Sequence, residues 1–366
     1  MKAAVFAGDE PRLQIEELDR PSPSRGEVLI EVAACGVCHT DLHVLKKEVA
    51  FPTPGVLGHE VSGTVAEVAP DVTSVAVGDR VVCSFIMPCG TCRHCVRGYE
   101  DLCETFFAYN RLKGTLYDGT TRLRRDDGSP VWMYSMGGLA EYCVVPQTDV
   151  FKVPDDVDLA DVSIVGCSSF TAYGAVRNVA GLTMADKVAV IAAGGVGSSI
   201  IQFARATGVG QIIAVDVSSE KLDAAKALGA TDLVNSAEED AVARVIELSG
   251  GKGVDVAFEA LGRKQTFEMA LDVLDDGGRA VVVGIAPAGS RGEIDLARLV
   301  RRKLSILGSY GARARADMPQ LVNLVRQGVV RPKDVITRRY TLDQADEAYQ
   351  ALARGEIIGR AVIEMR

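Results

Sequence analysis

Hydrophobic positions in the first 150 residues fall into short runs that Gly and Pro interrupt. Within the runs, β-branched residues alternate with polar ones or cluster between turn signals, which is typical of strands. The runs are AAVFAG, VLIEVAACG, SGTVAEVAP, GDRVVCSF and AEYCVVP. This part of the chain is therefore predicted to be mostly β.

The pattern lengthens toward that of a helix from Val157 to Ala180, and after Lys187 buried strands alternate with helices. In order, the segments are the strand VAVIAA, the helix VGSSIIQFARATG ending at Gly208, the strand QIIAVD, the helix SSEKLDAAKALG stopping at Gly229, the strand VDVAFEA, a helix through Met269 and Leu274, and the strand RAVVVGIA. Regular alternation predicts a parallel, doubly wound sheet. The second half is thus expected to be α/β.

The last segment begins at about Lys303 and combines both kinds of pattern. It contains KLSILGSYG, a helix MPQLVNLVRQG, a closing helix ADEAYQALARG and a final strand RAVIEM. The pattern leaves open whether these elements extend the parallel sheet or return to the first domain. We predict boundaries that divide the chain into 1–160, 161–303 and 304–366.

Composition excludes some classes of protein. A chain of 366 residues, 48% of them hydrophobic, is long enough for two or three cores. Its net charge of −9, with no basic run longer than 301–303, argues against a nucleic-acid partner. We find no apolar stretch of the roughly 18 residues that a membrane span needs, and no signal-peptide pattern, so a cytoplasmic protein is expected.

Four cysteines in the run CGTCRHCVRGYEDLC stand three, three and eight residues apart: Cys89, Cys92, Cys95 and Cys103. Four thiolates suit one tetrahedral zinc ion, and such a closed site organises a loop but leaves no position for a substrate. Two disulfides, free thiols or an iron–sulfur cluster are the alternatives, although an odd total of nine cysteines cannot pair completely. We predict a structural zinc lobe over 85–105.

A glycine-rich turn lies between the first strand and helix of the alternating half. Its residues, Ala192-Ala193-Gly194-Gly195-Val196-Gly197, match the second and third glycines of G-x-G-x-x-G and place alanine at the first. Gly194 would let the backbone approach a pyrophosphate, and Gly197 would let helix and strand pack closely. We expect Ala192 to fit this turn with a negative φ.

Asp216 closes the next strand, 19 residues after Gly197. A carboxylate there accepts hydrogen bonds from the adenosine ribose hydroxyls and would repel a 2′-phosphate, which favours NAD over NADP. Lys221 could lie beside the ribose. From this pattern alone, a glycine turn that binds no nucleotide remains the alternative.

Cys38, His59 and Cys167 form a second set, in CGVCHTDLH, LGHE and VGCSSFTAYG. Two thiolates and one imidazole make an open zinc site that keeps a position for water or an alcohol oxygen. Taken separately, a buried cysteine or a lone histidine is more often structural, and the spacing does not join the three.

A resemblance to a known family groups Cys38, His59 and Cys167 into one site. The GHE motif, the four-cysteine lobe, the GGVG turn, the Asp that follows it and FEALG occur in the order found in zinc-dependent medium-chain alcohol dehydrogenases, which the chain resembles over nearly its whole length. The resemblance implies a GroES-like catalytic domain at 1–160, a Rossmann NAD-binding domain at 161–303, and a segment at 304–366 that returns to the catalytic domain. It places the active site in the cleft.

The resemblance also assigns the metal-binding residues. Cys38, His59 and Cys167 would bind the catalytic zinc, and Glu60, the acid of GHE, would belong to the same metal set. Asp41 would hold the His59 imidazole in the orientation and tautomer that a metal ligand needs.

By the same resemblance, Thr40 would accept the alcohol proton and His43 would pass it to solvent. His39 would contact the pyrophosphate, and Thr171 would lie against the nicotinamide. Solvated surface imidazoles remain the alternative for His39 and His43.

The implied reaction interconverts a primary, or secondary, alcohol and its aldehyde or ketone, with zinc as Lewis acid at the ionising alcohol oxygen and hydride transfer to NAD. By family position, Phe85 and Ile285 would line an apolar pocket. The segments KGTLYDGTTRL and GSYGARARADMPQLV resemble those of family members that reduce succinic semialdehyde. Arginines of the insert 110–132, or Arg313 and Arg315, could then meet a carboxylate.

Two rival interpretations stay open, a zinc-free quinone or enoyl reductase and a non-catalytic protein that binds NAD and zinc. The resemblance further implies a homodimer or homotetramer, with a small-molecule alcohol or aldehyde as its substrate.

Overall fold

The computed structural model describes residues 1–365 and divides into two compact units. The first unit contains 1–170, 313–328 and the chain from 336 onward, and the second contains 171–312 and 329–335. The domain limits of 1–160, 161–303 and 304–366 stay predictions, because compactness does not show which part of a chain folds by itself.

Short strands and a few short helices make up residues 1–170. The strands are β1 (Lys2–Phe6), β2 (Gln14–Glu17), β3 (Glu27–Val37), β4 (Gly55–Val56), β5 (Val61–Val68), β6 (Arg80–Cys83), β7 (Leu123–Arg124), β8 (Pro130–Met133), β9 (Tyr142–Pro146) and β10 (Val150–Lys152). The helices are α1 (His39–Leu45), α2 (Arg93–Val96), α3 (Leu159–Ser163) and α4 (Ser168–Tyr173), the last of which leads into the second unit.

Strands and helices alternate from residue 187 to 308, as the sequence pattern predicts. The elements are β11 (Lys187–Ile191), α5 (Gly195–Ala206), β12 (Gln211–Asp216), α6 (Ser219–Leu228), β13 (Asp232–Asn235), α7 (Ala241–Leu248), β14 (Val254–Glu259), α8 (Lys264–Asp272), β15 (Leu274–Val282), α9 (Leu296–Arg301) and β16 (Ser305–Gly308). The last elements are α10 (Ala314–Arg326), β17 (Ile336–Thr341), α11 (Ala345–Ala353) and β18 (Arg360–Glu364).

The first unit contains two main sheets. One has the order β2-β1-β4-β8-β7, and the other has the order β10-β6-β5-β3-β18-β17 with β9 also paired to β3. Strand β18 pairs antiparallel with the end of β3, from Val37↔Ala361 to Ala34↔Glu364. The end of the chain thus completes the sheet that begins at residue 27.

The second unit is a six-stranded sheet in the order β13-β12-β11-β14-β15-β16, and all of its neighbouring strands are parallel. The order reverses at β11, which is the doubly wound dinucleotide-binding topology. Apolar side chains of its strands, such as Val188 and Ile213, are fully buried, as expected for a sheet covered on both faces. The predicted α/β fold, with a mostly β domain and a Rossmann domain, is confirmed.

One predicted helix is wrong at its end. The helix through Met269 stops at Asp272, and Leu274 begins strand β15 instead. Leu274 pairs with Val254 at the start of β14, and the Val254 amide donates to the carbonyl of Val273. Pairing between strands therefore ends the helix two residues before Leu274.

Within residues 1–365, no helix taken singly has the length and apolar character of a membrane span. The bent helix pair 159–166 and 168–179 meets those criteria only when its two parts are taken together.

Candidate functional site

Three sequence-distant segments of the first unit bring their ligand atoms together. Cys38 lies between β3 and α1 and is the N-cap residue of α1. His59 and Glu60 lie directly before β5, and Cys167 directly precedes α4. Their sulfur, nitrogen and carboxylate atoms all lie within 4.8 Å of one another, and all four residues are buried. Two thiols, an imidazole and a carboxyl at this spacing fit a zinc ion.

Asp41 holds the His59 imidazole. Its Oδ1 lies 3.1 Å from Nδ1 of His59 and accepts a 3.2 Å hydrogen bond from the Gly58 amide. The Tyr349 hydroxyl donates to the other oxygen, Oδ2, at 3.0 Å. Asp41 and Tyr349 are both fully buried, so the imidazole is fixed with its Nε2 available to a metal.

A buried ion pair stands beside the ligands. Glu60 is fully buried and Arg360 is 5% exposed, with Nη2 of Arg360 3.2 Å from a Glu60 oxygen. The contact lacks hydrogen-bond geometry, and within residues 1–365 both buried Glu60 oxygens have no hydrogen-bond partner. Burial raises the pKa of Glu60 to about 7 against the opposing effect of Arg360. Unsatisfied carboxylate oxygens beside two thiols are what a cation would satisfy.

The two thiols and the imidazole of the set shift one another's pKa values. A hydrogen bond from Cys167 lowers the pKa of Cys38, and the same hydrogen bond together with burial raises the pKa of Cys167. Burial lowers the pKa of His59, but Asp41 and Cys38 outweigh it and raise this pKa to about 10. Binding of a metal ion must therefore displace protons from the set.

Aromatic rings surround the imidazole. The ring centroids of Phe85 and Tyr134 lie 6.1 and 6.5 Å from that of His59, both edge-on, and Phe170 lies 6.1 Å from Phe85. The Ser135 hydroxyl donates to the Phe85 carbonyl at 2.9 Å, and this hydrogen bond connects the segment that carries Tyr134 with the segment that carries Phe85. Phe85 was predicted to line a pocket, whereas the sequence patterns did not single out Tyr134 or Phe170.

The predicted proton-relay residues lie on α1. The Cys38 thiol donates to the Thr40 hydroxyl at 3.7 Å, so that hydroxyl is adjacent to the metal set. His43 is half-buried and its Nδ1 contacts Glu48. His39, by contrast, has an exposed side chain.

The glycine turn of the second unit fits a bound pyrophosphate. Gly194 caps α5 with no side-chain hydrogen bond to the helix N-terminus, and a Cβ placed there would meet no atom within 4 Å. A Cβ on Gly197 would lie 2.0 Å from the Ala192 carbonyl oxygen, so only glycine fits there. Gly195 and Val196 form the first turn of α5. The turn thus offers uncapped amides and open space to an anion.

The expectation for Ala192 is wrong. Its φ is +76°, in the left-handed region that disfavours a Cβ. The chain thus keeps the left-handed turn of a glycine at this position, and the Ala192 amide donates to the Val215 carbonyl at 2.8 Å.

Asp216 lies at the end of β12, beside the turn. Its carboxylate accepts hydrogen bonds from the amides of Ala193 at 2.8 Å and Ser218 at 3.1 Å, which fix its orientation. Each carboxylate oxygen can accept a further bond, as ribose hydroxyls would require. Lys221 lies in the first turn of α6, half-buried, and Thr171 lies on α4 with 8% of its surface exposed.

The four-cysteine lobe also fits a metal ion. The sulfurs of Cys89, Cys92, Cys95 and Cys103 lie within 4.8 Å of one another. Backbone amides point at two of them, from Cys89 and Phe106 to the Cys103 sulfur and from Cys92 to the Cys89 sulfur, at 3.3–3.4 Å. All nine cysteines are free of disulfide bonds in the described chain. Converging sulfurs that accept amide hydrogen bonds are the arrangement of a thiolate-bound ion.

Most arginines considered for substrate binding contact carboxylates of the protein. Arg315 pairs with Glu100 beside the cysteine lobe, and Arg313 pairs with Asp317. In the insert, Arg122 pairs with Glu27 and Asp118, and Arg125 pairs with Glu16. The guanidinium of Arg111 lies over the Tyr134 ring, 4.4 Å from its centroid.

Comparisons with known proteins agree with this geometry. A family model of the alcohol dehydrogenase GroES-like domain matches residues 24–155, and a model of the zinc-binding dehydrogenase domain matches 195–327. The NDMA-dependent alcohol dehydrogenase of Amycolatopsis methanolica and an S-(hydroxymethyl)glutathione dehydrogenase of Synechocystis are each 35% identical over 99% of this chain and 98% of their own length. The crystal structure of benzyl alcohol dehydrogenase from Acinetobacter calcoaceticus superposes with a TM-score of 0.93 at 31% identity, covering 100% of this chain and 99% of that one.

Proposed function

Because this chain belongs to the zinc-dependent medium-chain alcohol dehydrogenases and is an NAD-dependent alcohol dehydrogenase, we propose that its turnover depends on a zinc ion held by Cys38, His59 and Cys167. The observation that carries this proposal is the buried set of these three residues with Glu60, whose ligand atoms lie within 4.8 Å. We propose a second, structural zinc at Cys89, Cys92, Cys95 and Cys103.

When bound, zinc acts as a Lewis acid that favours ionisation of the alcohol hydroxyl, and NAD accepts the hydride. Asp41 and Tyr349 keep the His59 imidazole in the tautomer that presents Nε2 to the metal. The rings of Phe85, Tyr134 and Phe170 keep water away from the ligand atoms and provide an apolar wall for the carbon chain of the substrate.

The proton leaves by way of α1. The Thr40 hydroxyl, adjacent to Cys38, accepts the alcohol proton, and half-buried His43 passes it to solvent. The Glu48 carboxylate contacts Nδ1 of His43 and orients its imidazole. The His39 imidazole donates a hydrogen bond to the pyrophosphate.

We assign NAD to the second unit through its glycine turn. Gly194, Gly195, Val196 and Gly197 present the amides of α5 to the pyrophosphate, and Asp216 accepts hydrogen bonds from the ribose with Lys221 nearby. Thr171 contacts the nicotinamide. A carboxylate at the ribose selects NAD over NADP by charge repulsion.

The substrate is a primary alcohol or its aldehyde, with a short aliphatic or aromatic carbon chain. The aromatic residues around His59 support this choice, as does the similarity to an enzyme named for benzyl alcohol. Among such compounds we propose a carboxylate-bearing aldehyde such as succinic semialdehyde. Its support is the resemblance of the segments KGTLYDGTTRL and GSYGARARADMPQLV to those of family members that reduce succinic semialdehyde.

The rival functions account for fewer residues. A zinc-free reductase has no use for two buried thiols and an imidazole within ligand distance. A non-catalytic binding protein has no use for a hydroxyl beside Cys38 and a half-buried imidazole on the same helix, which Thr40 and His43 supply.

We further propose a homodimer or homotetramer assembled through the second unit. Strand β16 is the outer strand of its sheet in the described chain, and its Ile306 and Leu307 are half-buried. Leu296 and Val300 on the preceding helix are 70% and 73% exposed. An exposed strand edge beside apolar side chains favours pairing with a second copy.

The test combines elemental analysis with NADH oxidation in the presence of a panel of small aldehydes. We expect two zinc ions per chain in the wild type. Cys38→Ser should retain one zinc and lose turnover, whereas Cys95→Ser should retain one zinc and lower the unfolding temperature. The control Cys143→Ser, at a buried cysteine outside both sets, should retain both ions. Normal turnover by Cys38→Ser would overturn the catalytic assignment.

A further inference from the structure

We propose that Glu259 is a positioning residue for NAD: its buried side chain holds residues 260–262 in the arrangement that the bound dinucleotide requires. This inference rests on the proposed function, because it places NAD beside the glycine turn of the second unit.

The loop 260–262 begins beside the glycine turn. Strand β14 ends at Glu259, which pairs in register with Ile191, the last residue of β11. The Ala260 amide donates to the Ile191 carbonyl at 3.0 Å, and Ala192, which follows Ile191, opens the glycine turn. In a doubly wound sheet a dinucleotide lies outside the carboxyl ends of the strands where their order reverses, here at β11 and β14. The loop therefore borders the proposed cofactor site.

The Glu259 side chain holds this loop through one oxygen. Its Oε1 accepts hydrogen bonds from the amides of Leu261 at 2.9 Å and Gly262 at 2.8 Å, and from the Thr266 hydroxyl at 2.7 Å. Glu259 is fully buried, and among residues 1–365 its Oε2 has no hydrogen-bond partner. Because three donors converge on Oε1, the conformation of the loop depends on that one acceptor.

A second loop, which follows β15, packs directly on the first. The amides of Val283 and Gly284 both donate to the Glu259 carbonyl, at 2.8 and 3.0 Å. A Cβ on Gly284 would lie 2.1 Å from the Gly262 nitrogen. A Cβ on Gly262, whose φ is +81°, would lie 2.5 Å from the carbonyl carbon of Ile285. The two backbones are in contact, so a displacement of the first loop would displace the second.

Both loops expose apolar side chains at the carboxyl edge of the sheet. Leu261 is 46% exposed, and Ile285 is 53% exposed. Exposed apolar side chains beside a nucleotide site suit the flat faces of the nucleotide rings. We therefore expect a loss of order in these loops to appear as a loss of cofactor affinity.

The size of this effect follows from the population of the ordered loop. If the loop adopts the binding arrangement about a tenth of the time, the dissociation constant for NADH rises about 10-fold. Hydrogen bonds that hold the loop before NADH arrives remove most of that loss. The affinity for NADH is therefore the quantity that reports on Glu259.

The experiment measures the dissociation constant of NADH by its fluorescence in the full chain, together with zinc content, unfolding temperature and the KM for an aldehyde at saturating NADH. Glu259→Met removes the acceptor at similar side-chain length. We expect it to raise the dissociation constant roughly 10-fold, with two zinc ions retained and the aldehyde KM unchanged. Glu259→Gln keeps an oxygen that can accept from the same donors and should stay within about 3-fold of the wild type.

A second pair of variants leaves Glu259 in place. Thr266→Val removes the hydroxyl that donates to Oε1, whereas Thr266→Ser keeps it. We expect the dissociation constant of NADH to rise about 3-fold in Thr266→Val and to stay at the wild-type value in Thr266→Ser. Asp295→Ala is the control for loss of a helix cap, because Asp295 accepts from the Arg298 amide at the start of α9. It should bind NADH like the wild type.

If Glu259→Met and Thr266→Val lowered the unfolding temperature but bound NADH like the wild type, Glu259 would have a structural role alone. The inference would then be wrong while the proposed function stood. If the wild type bound no NADH, the cofactor site itself would be wrong, and this inference with it.

Discussion

At the residue scale, the side chain of Tyr349 supports the metal set without contacting it. Its hydroxyl donates to Oδ2 of Asp41, whose two oxygens both lie 3.1 Å from Nδ1 of His59. Removing this donor takes one hydrogen bond from a fully buried carboxylate, so the Asp41 side chain fixes the His59 imidazole less firmly.

We expect Tyr349→Phe to lower zinc affinity at the catalytic set about 10-fold, as is typical for a group behind a metal ligand. The measurement is zinc competition with a chromogenic chelator, together with kcat and KM. Tyr340→Phe removes a hydroxyl that interacts with Arg338 instead and should leave zinc affinity unchanged. Equal zinc affinity in Tyr349→Phe and the wild type would exclude this role.

The buried carboxyl of Asp149 should make the free energy of unfolding depend on pH. It is fully buried and accepts hydrogen bonds from the amide and hydroxyl of Ser84, but burial raises its pKa well above the usual range despite those hydrogen bonds. The folded state therefore keeps a proton that the unfolded chain releases above about pH 4, so stability falls as pH rises through that range.

We expect Asp149→Asn to abolish this contribution. The unfolding temperature of the variant, measured relative to wild type, should rise steadily between pH 5 and pH 8. Asp155→Asn, on an exposed side chain, should show no such trend. A variant that loses stability with pH as steeply as the wild type would contradict the assignment.

Residue chemistry explains what the sequence could predict of the site. Cys38, His59 and Cys167 could be selected because thiols and imidazoles beside glycines are rare and the motif order is specific. Their roles, like those of Thr40, His43 and Asp216, stay predictions. Tyr349 was not predictable, because 308 residues separate it from Asp41 and a tyrosine carries no motif. The positive φ of Ala192 belongs to the turn between β11 and α5, and no local pattern reveals it for an alanine.

At the element scale, an ion pair between Arg122 and Glu27 connects the hairpin β7–β8 with the start of β3. The side chains of Arg122 and Glu27 are 8% and 10% exposed and form two hydrogen bonds, of 2.8 and 2.6 Å. The sequence indicated an arginine-rich insert but not that this arginine would be internal.

We expect Arg122→Met to lower the free energy of unfolding by about 3–5 kcal/mol, because it leaves a buried carboxylate unpaired. The double variant Arg122→Met with Glu27→Gln should recover a large part of the loss. Arg124→Met, on an exposed side chain, should change stability by no more than about 0.5 kcal/mol. Denaturant unfolding measures all three, and equal losses in the single and double variants would contradict a paired role.

Elements with a strong pattern were predictable, and short ones were not. The helices α5 and α6 end at or near the glycines that the sequence indicated. Strands of two residues, such as β4 and β7, are too short to show a period, and they form only because neighbouring strands pair with them.

At the scale of the whole molecule, the proposed assembly through β16 can be tested at one edge of the sheet. We expect the wild type to sediment as a dimer or tetramer at micromolar concentration. Leu307→Arg, on β16, should shift it toward the monomer, whereas Leu233→Arg, on the opposite edge strand β13, should not. A monomeric wild type would exclude the assembly.

The pairing of β18 with β3 determines the order in which the protein can be completed during synthesis. The main part of the second unit, residues 171–312, is continuous, so its sheet can close as soon as it has left the ribosome. At roughly 5–20 residues per second, β18, Tyr349 and Arg360 emerge some ten to forty seconds after residue 170. Until then the end of β3 is paired with β5 on one side only, and the proposed metal set lacks the side chains of Tyr349 and Arg360. The sheet that contains β3 is therefore completed only after the parallel sheet of the second unit, and one strand edge and the thiols of Cys38 and Cys167 stay uncovered in the meantime.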